Sequence, residues 1–152
     1  GEDHVKGALE ALGSIHFWRL AIKPGRPIAL GEIGKTTFIG LPGNPVAAMV
    51  TFMAIARTVA LVLSGREETE PSLFKVEAGF DYDKKKGRRE WLRVRLERGG
   101  KDGPVAHKYA AGGSGILTSM VASDGLVELP EDQGAVEKGD RVDFLSFNEV
   151  LG

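Results

Sequence analysis

The sequence predicts part of a three-layer α/β domain followed by a small all-β barrel or sandwich. Three observations carry this. Residues 1–65 run helix, strands, helix, the order of an α/β layer, with no complete βαβ unit at the start. Residues 66–71, Arg66-Glu67-Glu68-Thr69-Glu70-Pro71, form a polar linker. Residues 72–152 then change to short alternating runs divided by turns, at the spacing of a small β domain.

The elements follow in order. Val5, Ala8, Leu9 and Leu12 fall on one helical stripe, and Gly13 suits the position just past a helix end. Strands are expected over 15–22, 27–33 and 36–41. Pro42 and Gly43 force a tight turn. Asn44 suits an N-cap, because its side-chain oxygen can accept an N–H of the first turn, and Pro45 suits the first helical position. The helix over 45–63 carries one charge, Arg57. Its length approaches a membrane span. The alanine content, the central arginine and the short turn before it favour instead a helix buried by its own domain and by a second subunit. Beyond the linker, strands are expected over 74–80, 90–97, 105–109, 125–129 and 141–147, and residues 1–65 and 72–152 are expected to pack as separate units. Lys84-Lys85-Lys86-Gly87-Arg88-Arg89 reads as a solvated hairpin turn rather than a nucleic-acid patch, since neighbouring acids offset it.

Composition narrows the function. Hydrophobic residues at 42% and charged residues at 27% are those of a soluble globular protein. A net charge of −1 leaves no basic excess for phosphate contacts along a nucleic acid. With no cysteine there is no disulfide and no thiolate metal site, which is compatible with the cytoplasm. Residues 1–15 have no apolar run of the signal-peptide kind. His4, His16 and His107 lack metal-ligand spacing and read as structural or surface residues.

Two turns suit an anion. The helix opened by Gly43, Asn44 and Pro45 presents N–H groups and the positive end of its dipole. About twenty residues earlier, Lys23-Pro24-Gly25-Arg26-Pro27 reads as a type II turn that holds two cations on a stiff loop. Arg26 can fork to an oxyanion and Lys23 acts as a point charge. Strand alternation would place Arg19 on the same face as Lys23. A solvated basic edge explains the same residues equally well.

The run Phe17-Trp18-Arg19-Leu20-Ala21-Ile22-Lys23-Pro24-Gly25-Arg26-Pro27, followed by Gly40-Leu41-Pro42-Gly43-Asn44-Pro45-Val46, closely resembles the molybdopterin molybdenumtransferase family, which includes the E domain of gephyrin and its plant counterpart. The resemblance runs from Asp3 to the C-terminus. It implies insertion of molybdenum from molybdate into adenylated molybdopterin, with release of AMP and help from Mg²⁺. It implies a homodimer, a cytoplasmic location and a molybdopterin adenylyltransferase as a further partner, with no nucleic acid and no membrane. It also implies a C-terminal fragment that lacks the Gly-rich phosphate segment upstream of Asp3 and is inactive alone.

By residue, the resemblance implies that Asp3 and Lys23 are catalytic. Arg19, Lys23, Arg26, Gly43, Asn44, Arg93 and Ser114 then bind substrate. The metal ligands stay open, with Asp3 the one candidate for Mg²⁺. Arg19 and Arg26 stand where lysine is common, and Ala47 stands where the family often has serine, which removes a hydroxyl donor from the first helical turn. Each position has a plainer reading as well. Asp3 suits an N-cap, Arg93 belongs to an alternating basic strand face, and residues 112–115 suit a flexible linker, although glycine-permitted N–H groups can also form an anion nest. Two other functions fit. One is a gephyrin-like anchoring module, marked by peptide binding without pterin binding. The other is a different phosphate- or nucleotide-binding α/β enzyme, marked by another bound nucleotide.

Overall fold

A computed structural model describes residues 4–25, 27–100, 103–109 and 116–151. Helix α1 (His4–Leu12) lies against β1 (Ser14–Arg19), and the Gly13 N–H closes the helix by donating to Leu9 O at 2.9 Å. β1 pairs antiparallel with β3 (Pro27–Ile33), which pairs antiparallel with β4 (Thr36–Gly40), giving a three-stranded sheet in the order β1-β3-β4. The single strand expected over 15–22 is therefore broken. β1 ends at Arg19, the chain turns at residues 20–21, and the two-residue β2 (Ile22–Lys23) joins a different sheet. Strand alternation consequently cannot relate Arg19 to Lys23, because they belong to different strands.

The helix over Pro45–Leu63 forms as the sequence predicts, in three parts: α2 (Pro45–Thr51), a π-helical turn at Phe52–Ala56 and α3 (Arg57–Leu63). Asn44 caps it, accepting the Ala47 N–H on Oδ1 at 3.1 Å. Among the described residues it is the one helix long and apolar enough to cross a membrane, and one face of it is buried against the chain's own β region. That face carries Val46, Val50, Met53 and Ala56, while α3 buries none of its residues. The π turn resets the helical phase between the covered and uncovered parts.

The second half closes into a barrel. β5 (Phe74–Ala78), β6 (Arg89–Gly100), β7 (Gly103–Lys108), β8 (Gly125–Leu129) and β9 (Arg141–Ser146) follow the order β6-β7-β5-β9-β8, and β6 also pairs with β8 to complete the ring. Only the β5–β7 pairing within the ring is parallel. The twelve residues of β6 reach both neighbours, β8 through 90–94 and β7 through 94–100. Alternation along β6 sorts its side chains: Leu92, Val94 and Leu96 join the apolar cluster inside the ring, and Trp91 joins the cluster outside it. Two short helices lie outside the expected elements, α4 (Ile116–Val121) and α5 (Phe147–Leu151), and each contributes to the outer cluster through Met120 and Val150.

The two stretches expected to pack separately share one apolar cluster. β2 pairs in parallel with β6, and the outer cluster mixes Ile22, Val46, Val50 and Met53 with Trp91, Leu126 and Leu145. An apolar helix face that a three-stranded sheet cannot cover is covered by the barrel wall. The Lys84–Arg89 cluster also departs from a solvated turn. Lys84 is 4% exposed and donates to Gln133 O at 3.0 Å, and Arg89 donates to Glu128 and Glu131.

Candidate functional site

Where the two halves meet, a cavity of about 260 Å³ opens between the Lys23 turn, α2 and the barrel. Val46, Val50, Trp91 and Leu92 give it an apolar floor. Lys23, Arg93 and Lys108 bring three cations to its wall, Tyr82 and Tyr109 add two phenols, and no carboxylate lines it among the described residues.

Each cation reaches the wall for a local reason. Lys23 lies on β2, whose parallel register sets it beside Glu90. The turn that follows sits against α2: Gly25 has φ +95°, and a Cβ there would meet Thr51 Oγ1 at 2.6 Å. The Lys23–Pro24 peptide bond is cis. Arg93 has the parity of Trp91 on β6 and so stands outside the ring, where its guanidinium donates to the hydroxyl of Ser119 on α4. Lys108 ends β7 and holds its ammonium 4.8 Å from the centre of the Tyr82 ring.

Behind Lys23 lies a buried acid. Glu90 has a side chain only 1% exposed. Its Oε2 accepts the Tyr82 hydroxyl at 2.6 Å and lies 3.3 Å from Lys23 Nζ, and its Oε1 accepts Arg88 Nε at 2.6 Å. Tyr82 Oη also accepts from Lys23 Nζ at 2.8 Å. Burial opposes ionisation of Glu90, but the hydrogen bonds from Tyr82, Arg88 and Lys23 outweigh it and hold the carboxyl below its ordinary range. The hydrogen bond to Tyr82 and the charge of Glu90 push Lys23 up, against desolvation. Burial, with the bond to Glu90, pushes Tyr82 up, so it stays a donor.

Of the residues expected in a site, the structure brings Lys23 and Arg93 to one cavity. Gly43 and Asn44 are exposed at the start of α2 and do not line it; Val46 and Val50, on the side of that helix, do. The Arg19 main chain closes β1 opposite Pro27. Asp3, Arg26 and Ser114 lie outside the described residues. His107 pairs with Glu97 across β6 and β7 at 3.1 Å on an exposed face, the surface role expected of it. Sequence reasoning passed over Tyr82, Glu90 and Lys108. Tyr82 sits in a run that reads as a turn, Asp81-Tyr82-Asp83, and Glu90 stands between basic residues and an apolar strand, where a solvated charge is the ordinary reading.

The chain matches two families, one described as "Probable molybdopterin binding domain" over residues 1–61 and the other as "MoeA C-terminal region (domain IV)" over residues 75–147. It is 32% identical to a molybdopterin molybdenumtransferase from Haemophilus influenzae, over 99% of this chain and 37% of that protein. It is 28% identical to gephyrin from Dictyostelium discoideum, over 97% of this chain and 24% of that protein. A crystal structure of a molybdopterin biosynthesis MoeA protein from Pyrococcus horikoshii superposes with a TM-score of 0.74 at 30% identity, covering 97% of this chain and 35% of that one. The chain thus spans about a third of the length of the Haemophilus relative and of the Pyrococcus structure.

Proposed function

Since the chain belongs to the MoeA-like molybdopterin molybdenumtransferase family, we propose that its cavity is the molybdate pocket of an enzyme that inserts molybdenum into adenylated molybdopterin and releases AMP. The observation that carries this reading is the wall of Lys23, Arg93 and Lys108, in a cavity that no described carboxylate lines. A tetrahedral dianion suits such a wall. Arg93 offers a planar fork and the lysines offer compact charges. The apolar floor excludes water on one side and strengthens each electrostatic contact.

Two anions, molybdate and a phosphate-bearing pterin, repel each other in water. A cationic pocket lowers that repulsion and holds them in fixed geometry, which turns an encounter of like charges into a reaction within one complex. Catalytic contact falls to Lys23 in this reading, with Asp3 beside the substrate. Arg19, Arg26, Gly43, Asn44 and Ser114 enter this reading as substrate-binding residues on family grounds, with Asn44 acting through the capped helix start rather than through the cavity wall. Mg²⁺ belongs to the same reading on family grounds. Among the described residues no group of three His, Asp or Glu side chains could hold it, so no step here passes through it.

The same reading takes the protein as a cytoplasmic homodimer that receives its pterin from an adenylyltransferase. Phe52, Val62 and Leu63 support the dimer: they leave one side of the long helix apolar and 38%, 58% and 65% exposed. A crystal of the full-length protein soaked in molybdate, with the metal located by anomalous scattering, tests the pocket. Metal density beside Lys23 and Arg93 is expected; ordered density elsewhere at full occupancy overturns the reading.

A further inference from the structure

We propose that Glu90 is the positioning residue of the anion cavity: with the Tyr82 hydroxyl as its extension, its buried carboxylate holds the Lys23 ammonium at the cavity wall. The inference rests on reading this cavity as the molybdate pocket. Glu90 does not line the cavity, so its part is to place another group.

The geometry requires such a device. A lysine has a flexible four-carbon stem, and an exposed one loses rotamer freedom whenever a ligand fixes it. The Lys23 side chain is 49% exposed, yet its ammonium is fixed at two points, 2.8 Å from Tyr82 Oη and 3.3 Å from Glu90 Oε2. An ammonium has three donors, and among the described residues two are engaged, leaving one for a ligand. The anchor is itself rigid. Glu90 sits in β6 between its partners Lys23 on β2 and Leu129 on β8. Tyr82 is tied to Val136 by two main-chain hydrogen bonds of 2.8 Å.

Charge balance explains why the anchor does not cancel the lysine. Arg88 engages the other oxygen of Glu90 at 2.6 Å. Lys23, Arg88 and Glu90 together therefore carry one net positive charge. A buried carboxylate paired with Lys23 alone would leave a neutral pair and a weak anion site. Among the described residues, the charged and titratable groups around Lys23 are Tyr82, Glu90 and Arg88 behind it, with Lys108 and Arg93 along the cavity wall.

The test compares wild type, Lys23→Ala, Glu90→Gln and Tyr82→Phe in the full-length protein, by calorimetric titration with molybdate from pH 7 to pH 11. Molybdate stays a dianion throughout, so the alkaline loss of binding reports the protein. Glu90→Gln removes the charge and keeps the shape, and it is expected to weaken binding about tenfold, the equivalent of one charge-assisted hydrogen bond. It should also move the alkaline loss to lower pH, because Lys23 then gives up its proton more readily; a merely structural role would not move that limb. Tyr82→Phe should move binding and the alkaline limb in the same direction, because the Tyr82 hydroxyl is the first contact of the Lys23 ammonium, and it serves if Glu90→Gln does not fold. If Lys23→Ala loses binding while both other variants keep wild-type affinity and the wild-type alkaline limb, the positioning role is overturned and the molybdate reading stands. If Lys23→Ala binds molybdate like wild type, the reading of the cavity falls, and the positioning role falls with it.

Discussion

Glu90 shows how a single buried acid acts on both stability and the site. Its carboxyl titrates below its ordinary value of 4.5 because three donors converge on it. A group whose native pKa is depressed stabilises the fold above its unfolded value and loses that contribution as pH falls through the native one. Wild type should therefore exceed Glu90→Gln in unfolding free energy at pH 7, and the difference should shrink as pH drops below 4.5. Urea titrations at a series of pH values check this; a difference that does not change with pH rejects it. Gly25 is the second telling residue. Its φ is +95°, and a Cβ on it would lie 2.6 Å from the Thr51 hydroxyl, which leaves no room for a side chain. Gly25→Ala should cost about 1–3 kcal/mol through backbone strain and displacement of the turn from α2. A variant as stable as wild type, with molybdate affinity intact, would show that the turn adapts freely.

Among the elements, the helix from Pro45 to Leu63 carries the most consequence. Its start is set by a cap visible in the sequence, and Asn44→Ala should cost about 1 kcal/mol in denaturant unfolding because the Ala47 N–H loses its acceptor. No loss of stability would mean that solvent or a neighbouring group replaces the cap. Its middle is set by packing: Val50 and Met53 are both 1% exposed in the core shared with the barrel. Met53→Ala should cost about 2–5 kcal/mol. β6 is the other organising element. It closes the ring, pairs with β2 and carries Glu90, Trp91 and Arg93 in close succession. Closure also depends on Gly125 of β8, where a Cβ would collide with Leu145 O and the Phe144 ring.

For the whole molecule, the shared core makes a strong claim about cooperativity. Trp91 is 7% exposed, packs in the cluster that holds Ile22, Val46 and Val50, and donates to Glu128 at 2.9 Å. Trp91→Ala should lower the stability of both halves together, by about 3–5 kcal/mol. Hydrogen exchange read separately at β3 and β8 checks it; protection lost in one half alone would separate them again. At the same scale, charged substitutions on the uncovered helix face, such as Val62→Glu with Leu63→Glu, should shift the full-length protein from dimer towards monomer in sedimentation. A wild-type monomer at high concentration would remove the dimer proposal.

Local signals were legible in the sequence wherever a short stretch contains its own physical cause. The Asn44-Pro45 helix start, the strand over 27–33, the β8 strand and the alternation in the second half all follow from capping, turn chemistry and period. Lys23, through its turn, and Arg93, through a motif that resembles a family's, were legible as candidates, and the structure brings both to one cavity. What only tertiary structure decided are the relations between distant residues. β2 leaves the first sheet because its edge pairs with β6, a strand far along the chain. The barrel covers the face of α2, and no periodicity within either element names the other as its partner. Glu90 and Tyr82 look like ordinary surface polar residues until the ring closes, and burial then makes Glu90 an anchor for a cation that β2 supplies. The physical reason is that propensity and capping act over a few residues, whereas burial and charge pairing depend on which surfaces the closed chain brings together.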